Sequence, residues 1–141
     1  MHCSIEQLEV AGQLGQLAGA GPDAGQSDHV LELLQPACRY EAASLVLWDA
    51  AQGSHVGLAN HGYDDDMHRY FVDEFPSTVA SLRIQSGRVP LRIDDAPFDF
   101  RESETYLEYL QPRGYLDGLT AALFVDGGQY VGMFHMSSRG R

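Results

Sequence analysis

The sequence predicts an α+β domain in which one antiparallel sheet of about five or six strands has helices on both faces. Three observations predict this class. Apolar patterns follow one another in the order two helices, two strands, a helix, a strand, a helix and two strands. The last two strands are apolar on both faces, which is typical of strands covered on both sides. A chain of 141 residues suits one domain with a substantial core.

Two helices are predicted before the first strand. The first runs from Ser4 to Leu17 and starts with a capping-box pair, Ser4 and Gln7. Its three glycines lower the intrinsic helicity, so we expect it to depend on packing, with a partner subunit as one candidate. A linker over 19–26 follows. Ser27 caps the second helix, and Pro36 is expected to kink or end it.

The middle of the chain alternates short strands and helices. Strands are predicted over Ser44–Trp48 and His55–Asn60, joined by a turn around Gly53. A helix with an acidic first turn is predicted over Asp64–Phe75, and Pro76 ends it. The elements predicted after it are a short helix within Ser77–Arg88, a strand over Val89–Asp94 and a helix over Ser103–Leu110.

The closing strands are predicted to form a hairpin around Gly127 and Gly128, because two glycines suit a tight turn with positive φ. Stepping outward from this turn gives the pairs Asp126 with Gln129, Phe124 with Val131, Ala122 with Met133 and Thr120 with His135. One face then carries His135 among small and hydroxyl-bearing residues, which could form the floor of a cavity. The alternative is a buried histidine that is hydrogen-bonded to Thr120 or to the backbone.

Composition limits the classes of function. Twenty acidic residues against nine basic ones give a net charge of −11, which disfavours contact with nucleic acid or anionic membranes. No apolar run approaches the length of a membrane span, and the amino terminus lacks a signal-peptide pattern, so the cytoplasm is the expected location. Cys3 and Cys38 are expected to be free thiols.

Two stretches of the second half resemble a known family. "SGRVPLRIDD" (86–95) resembles the Gly-Arg-x-Pro strand of GAF domains, and "GYLDGLTAALFVDGGQYVGMFHM" (114–136) resembles their last two strands. Within that family the chain is most similar to sensor domains of actinobacterial LuxR-type transcription regulators, although no helix-turn-helix is present. The resemblance covers 27–138. The expected organisation is an amino-terminal helix and linker over 1–26, with the helix a candidate for dimerisation, a sensor domain over 27–138 and a tail over 139–141.

The resemblance also implies where a ligand would bind. In GAF-like folds the pocket is a cup on one sheet face, and here the segments from Tyr63 to Tyr115 would bound it. These segments are rich in aromatic side chains, which suit a small organic ligand, although ordinary core packing would explain them too. The candidate ligand-binding residues are Trp48, Tyr63, Tyr70, Phe71, Phe98, Tyr106, Thr120, Met133 and His135.

The resemblance thus implies a small-molecule sensor that regulates transcription and acts as a homodimer, and the sequence has no signature that indicates an enzyme. It specifies no cofactor and no catalytic or metal-binding residues. A haem with His135 as its axial ligand is a weaker alternative. The cyclic-nucleotide motif of the family is missing, because Asn60 is followed by His61 instead of lysine. Two other classes remain open, a ligand-free dimerisation scaffold and a small redox or hydrolytic enzyme using Cys38 or His135.

Overall fold

A computed structural model describes residues 40–87, 91–95, 99–125 and 128–139. They form a five-stranded sheet in the order β2-β1-β5-β4-β3, in which all neighbouring strands are antiparallel. The strands are β1 (Ala42–Asp49), β2 (Ser54–His61), β3 (Leu91–Arg92), β4 (Asp117–Val125) and β5 (Gln129–Ser138). This confirms the predicted α+β class with a central antiparallel sheet.

Helical segments connect β2 to β3 and β3 to β4. Helix α1 spans Asp65–Asp73 and helix α2 spans Val79–Gly87. A π-helix covers Thr105–Leu110, and Gly114 ends the turn after it with a left-handed φ of 80°. The short 3₁₀ helices are Phe75–Ser77, Ile93–Asp95, Phe100–Glu102 and Gln111–Arg113. The helices predicted over Ser4–Leu17 and from Ser27 to Cys38 lie outside the described residues.

Helix α1 forms where the sequence predicted it. The carboxylate of Asp64 caps the helix by accepting a hydrogen bond from the backbone N–H of Met67 at 2.8 Å. Met67, Tyr70 and Phe71 point into the core, and Pro76 lies in the 3₁₀ turn that follows. The acidic residues of the first turn complement the helix dipole.

The hairpin register is correct in its interior and wrong near the turn. Thr120 pairs with His135 and Ala122 with Met133, as predicted. Phe124, however, pairs with Tyr130, because a bulge leaves Val131 without a directly opposed residue on β4. The bulge reverses the expected faces of Tyr130 and Val131, since one extra residue changes the alternation.

The strand predicted over Val89–Asp94 ends two residues early, at Arg92. Within the described part of this stretch Leu91 and Arg92 pair with β4, and the chain enters a 3₁₀ helix at Ile93. This turn places the Ile93 side chain in the core. Residues 88–90 lie outside the described part of the chain.

The sheet has a buried cluster on each face. The first core cluster joins the sheet to the helical segments. Its buried members are Ala42, Val46, Tyr63, Met67, Tyr70, Phe71, Phe75, Ala80, Ile84, Ile93, Phe100, Tyr106, Leu110, Tyr115 and Met133. The second cluster lies on the opposite face. It contains Tyr40, Ala43, Leu45, Ala59, Leu119, Leu123, Val131, Phe134 and Met136.

Among the helices of the described residues, none has the length and apolar character needed to cross a bilayer.

Candidate functional site

A row of polar side chains crosses the sheet on the face that carries the helices. Asn60 on β2 pairs with Ser44 on β1, Ser44 pairs with His135 on β5, and His135 pairs with Thr120 on β4. Directly opposed residues project from the same face of an antiparallel sheet. Four neighbouring strands therefore bring one hydrogen-bonding side chain each to the floor of the first core cluster.

His135 lies at the centre of this row and is only 1% exposed. Its ring stacks on Phe71 with a centroid distance of 3.9 Å and meets the edge of Phe75 at 5.0 Å. A hydrogen bond of 2.9 Å joins its Nδ1 to Oγ1 of Thr120. Among the described residues its Nε2 has no hydrogen-bond partner. The site thus contains a buried histidine in which one ring nitrogen is hydrogen-bonded and the other has no partner among the described residues.

Burial makes His135 a neutral imidazole. Burial, with smaller contributions from the nearby His68 and His55, lowers the pKa of His135 to about 3. At pH 7 one ring nitrogen therefore donates and the other accepts. Nε2 can offer one hydrogen bond of either kind, depending on which way the bond to Thr120 runs.

Two more histidines lie above the same face. His68 of α1 bonds through Nδ1 to Ser44 Oγ at 2.9 Å, and His55 of β2 bonds through Nε2 to the Tyr130 hydroxyl at 2.8 Å. Burial lowers the pKa of both histidines. Gly57 leaves room for the His68 ring, since a Cβ at Gly57 would lie 2.4 Å from His68 Nε2.

The space beside His135 is a small cavity of about 20 Å³. This is room for about one water molecule. Its lining residues are Phe71, Phe75, Ile84, Leu91, Ile93, Phe100, Thr105, Leu110, Gly118, Leu119, Thr120, His135, Met136 and Ser137. Aromatic rings of the first core cluster fill most of the predicted cup, so an organic ligand would have to displace some of them.

A larger depression lies outside the cavity, which we call the acidic groove. It has a volume of about 840 Å³. It is lined by Tyr70, Asp73, Glu74, Ser77, Thr78, Val79, Ala80, Arg83, Asp99, Glu102, Ser103, Glu104 and Thr105. Thr105 lines both the groove and the cavity, and its Oγ1 is hydrogen-bonded to the Tyr70 hydroxyl at 2.5 Å. The hydrogen-bonded Tyr70–Thr105 pair therefore lies between the cavity and the acidic groove.

The predicted site residues fall into four groups. Phe71, Thr120 and His135 line the cavity. Tyr63, Tyr70, Tyr106 and Met133 are buried in the same core cluster but do not line the cavity. Trp48 shares the sheet face, and its ring lies 5.0 Å from the His55 ring at an angle of 57°, beside a separate surface groove. Phe98 lies outside the described residues.

The predicted set of site residues did not include Phe75 and Thr105, which line the cavity, or Ser44, which pairs with His135. Phe75 follows Phe71 by four residues and shares its helical face, which was a usable signal. Ser44 shares the strand face of Val46, which could also have been used. The Thr105 position depends on the π-helix, which no local pattern revealed.

The described residues do not form an accessible catalytic arrangement. Ser44 and His68 are hydrogen-bonded like a nucleophile and its base, but Ser44 is 0% exposed and lies on a central strand, where no substrate reaches it. No group of three histidine, cysteine, aspartate or glutamate side chains in the described part of the chain could hold a metal ion. Cys3 and Cys38 lie outside that part.

Comparison with known proteins supports the fold. No family model matches the sequence, and no curated protein matches it. The GAF domain of a phosphoenolpyruvate-protein phosphotransferase from Coxiella burnetii has 19% identity and a TM-score of 0.57, over 94% of this chain and 77% of that chain. The phycocyanobilin-bound GAF domain of a cyanobacterial phytochrome has 12% identity and a TM-score of 0.56, over 98% and 82%.

An enzyme is also similar. The free methionine-R-sulfoxide reductase from Neisseria meningitidis, solved in complex with its substrate, has 16% identity and a TM-score of 0.53, over 99% of this chain and 80% of that chain. At such identities the similarity concerns the fold alone. The strand order, the helical layer and these structures together show that the chain has the fold of GAF domains.

Proposed function

We propose that this chain is a sensor domain that binds a small molecule beside His135 and, as the amino-terminal part of a LuxR-type regulator, controls transcription. One observation carries the proposal. A buried neutral imidazole at a cavity wall has an unpartnered Nε2, and leaving such a group unsatisfied costs about 1–3 kcal/mol. A hydrophobic side chain would avoid this cost. A ligand that forms a hydrogen bond with Nε2 would remove this cost and would explain why a histidine occupies the position.

The similar structures support binding of this kind. One of them is the phycocyanobilin-bound GAF domain and another is a reductase in complex with its substrate. In this chain, His135 and Thr120 would orient the ligand, and Phe71 would have to move from its stacked position to admit it. That movement would shift α1 relative to the sheet, so two conformations would differ in their affinity for the ligand.

Two measurements test the proposal. Native mass spectrometry of the purified chain should show a homodimer that retains a small molecule. Thermal unfolding with that molecule added should show stabilisation, which amounts to about 2.7 kcal/mol at a hundred times its Kd. The His135→Ala variant should stay folded and lose this stabilisation.

Phe134→Leu is the matched control, because Phe134 is the neighbouring residue and its side chain lies in the opposite core cluster. This variant should be destabilised but should keep its response to the ligand. Equal ligand-induced stabilisation in wild type and His135→Ala would contradict the role given to His135.

A second candidate function is a ligand-free dimerisation scaffold. The cavity of about 20 Å³ favours it, because the rings of the first core cluster already fill the cup. A dimer with no retained mass, and with no thermal response to a broad set of metabolites, would support the scaffold over the sensor.

A further inference from the structure

The acidic groove has a strong negative charge. Five carboxylates line it, and among its described lining residues Arg83 carries the only positive charge. A concave surface lined by one sign of charge concentrates the electrostatic field and attracts ions of the opposite sign. The groove carboxylates belong to Asp73, Glu74, Asp99, Glu102 and Glu104.

Little of this charge is neutralised. Glu74 accepts a hydrogen bond from the Tyr109 hydroxyl at 3.2 Å, and Asp99 accepts one from the backbone N–H of Arg101 at 3.1 Å. The side chains of Asp73, Glu102 and Glu104 have no ion pair or hydrogen bond within the described residues. The groove therefore keeps its attraction for a cation.

The carboxylates do not converge on one point. No group of three acidic or histidine side chains in the described ranges is close enough to hold a metal ion. A hard metal ion needs several oxygen atoms around one centre, whereas an organic ammonium group is satisfied by a broad negative surface and by aromatic ring faces. Tyr70 lines the groove, but it is only 2% exposed and its ring stacks on Tyr109 at 3.7 Å, so the carboxylates would hold the ammonium group.

The cavity behind the groove also has features of a binding site. On the inner side of Thr105 lies the cavity, which is lined by the buried His135, and the Nε2 of this histidine has no hydrogen-bond partner in the described ranges. Phe71, Phe75 and Phe100 form apolar walls there. A compound that crosses the Tyr70–Thr105 pair would place apolar surface against these rings and leave its charged end outside.

We propose that the cavity and the acidic groove are the inner and outer parts of one binding site, and that its ligand is an organic ammonium compound with an apolar body. The inference rests on the proposed sensor function and adds the chemical class of the ligand. The ammonium group lies among the groove carboxylates, the Tyr70–Thr105 hydrogen bond opens, and the apolar body displaces Phe71 from His135.

Three probes of nearly equal size test the ligand class. Phenethylamine is a cation at pH 7, phenethyl alcohol is neutral and phenylacetate is an anion. Calorimetric or NMR titration of the full chain should give the amine the tightest binding, with the anion weaker by roughly tenfold or more, because each exposed ion pair contributes up to about a factor of five.

Variants of the groove locate the charge preference. Glu102→Gln with Glu104→Gln should weaken binding of the amine severalfold and leave binding of the alcohol unchanged. Asp65→Asn with Asp66→Asn is the matched control, because it also removes two exposed charges, and these residues do not line the groove. The control should leave the binding of both probes unchanged.

The outcomes separate the two proposals. Equal binding of all three probes would overturn the ligand class while supporting a sensor with a different ligand. A retained molecule without a positive charge, found by native mass spectrometry, would do the same. Failure of all three probes to bind at millimolar concentration would overturn the ligand class. The absence of any retained molecule and of any metabolite response counts against the sensor itself.

Discussion

The hydrogen bond between His135 and Thr120 lies at the centre of the polar row that crosses the first core cluster. We predict that the double variant Thr120→Val with His135→Leu is within about 1 kcal/mol of the wild type in free energy of unfolding. The variant loses the stacking on Phe71, worth about 0.5–1.5 kcal/mol, but it also removes the cost of the unpartnered Nε2. Urea unfolding measures the difference.

The single variant Thr120→Val is the informative control for this pair. It leaves both ring nitrogens of His135 without a partner, so it should be less stable than the double variant by about 1–2 kcal/mol. If the double variant were the less stable of the two, the pair would serve the stability of the fold, and the argument for a ligand at His135 would lose its basis.

The buried histidines also determine how stability depends on pH. Burial lowers the pKa of His135 to about 3, while the unfolded chain has a value near 6.5. The unfolded state therefore binds more protons between these two values, so stability is complete above about pH 6.5 and is lost as the pH falls towards 3. The pKa values of His55 and His68 are lowered in the same direction.

We predict that the free energy of unfolding falls between about pH 6.5 and pH 4.5, with a slope of up to about 1.4 kcal/mol per pH unit for each histidine. Urea unfolding at several pH values measures the slope. The Thr120→Val, His135→Leu double variant should show a shallower slope in this range. Equal slopes would mean that His135 keeps an ordinary pKa in the folded state.

At the scale of single elements, the bulge in β5 depends on Gly132. Its φ is 159°, and a Cβ there would lie 2.2 Å from the Val46 carbonyl oxygen on β1. Backbone atoms in the middle of a sheet cannot move aside. We therefore predict that Gly132→Ala lowers the free energy of unfolding by about 3 kcal/mol or more, as measured by chemical denaturation.

Gly57→Ala makes a matched comparison, because its Cβ would meet the far end of a side chain. The His68 ring can rotate away and give up its hydrogen bond to Ser44, so the expected loss is about 1–2 kcal/mol. A cost for Gly132→Ala no larger than that for Gly57→Ala would contradict the close approach of β1 and β5.

Helix α1 is anchored at its start by Asp64. This carboxylate caps the helix at Met67 and also accepts two hydrogen bonds from Arg113, at 2.6 and 3.1 Å. Asp64→Ala should cost about 1–2 kcal/mol, since it removes the cap and the ion pair together. Arg113→Met keeps the cap and should cost about 1 kcal/mol, because it removes the partly exposed ion pair and the hydrogen bond from Arg113 to the Tyr109 carbonyl at 2.9 Å. An Asp64→Ala variant as stable as the wild type would show that the cap contributes nothing.

The sequence predicted elements best where a local pattern decides them. The Gly53 turn, the position of α1 with its acidic first turn and the Thr120–His135 pairing all follow from short-range rules of turn geometry, helix ends and alternation. A helix was predicted over Ser103–Leu110 and the structure has one over Thr105–Leu110, but neither its π form nor the bulge at Val131 was predicted. Each of these features inserts one residue into a regular hydrogen-bonding pattern, and neither has a local signal in the sequence. Both therefore depend on how distant segments pack.

At the scale of the whole molecule, the sequence predicted which candidate residues share a sheet face better than it predicted the empty space beside them. The register placed His135 and Thr120 on one face, and the structure has them there with Ser44 and Trp48. Whether the aromatic rings surround an empty cup or fill it is decided by tertiary packing, so no sequence pattern could give the volume of the cavity. The same holds for the acidic groove, whose carboxylates come from separate segments.

The net charge of −11 should make salt act in opposite directions on stability and on ligand binding. Raising NaCl from about 20 to 500 mM shortens the Debye length from about 20 Å to about 4 Å. Screening relieves repulsion among the excess carboxylates, so the Tm should rise by a few degrees. The same screening weakens the attraction of the groove for phenethylamine severalfold but leaves the binding of phenethyl alcohol unchanged. A parallel rise of Tm and amine affinity with salt would show that apolar contact dominates, and that the groove charge plays no part in recognition.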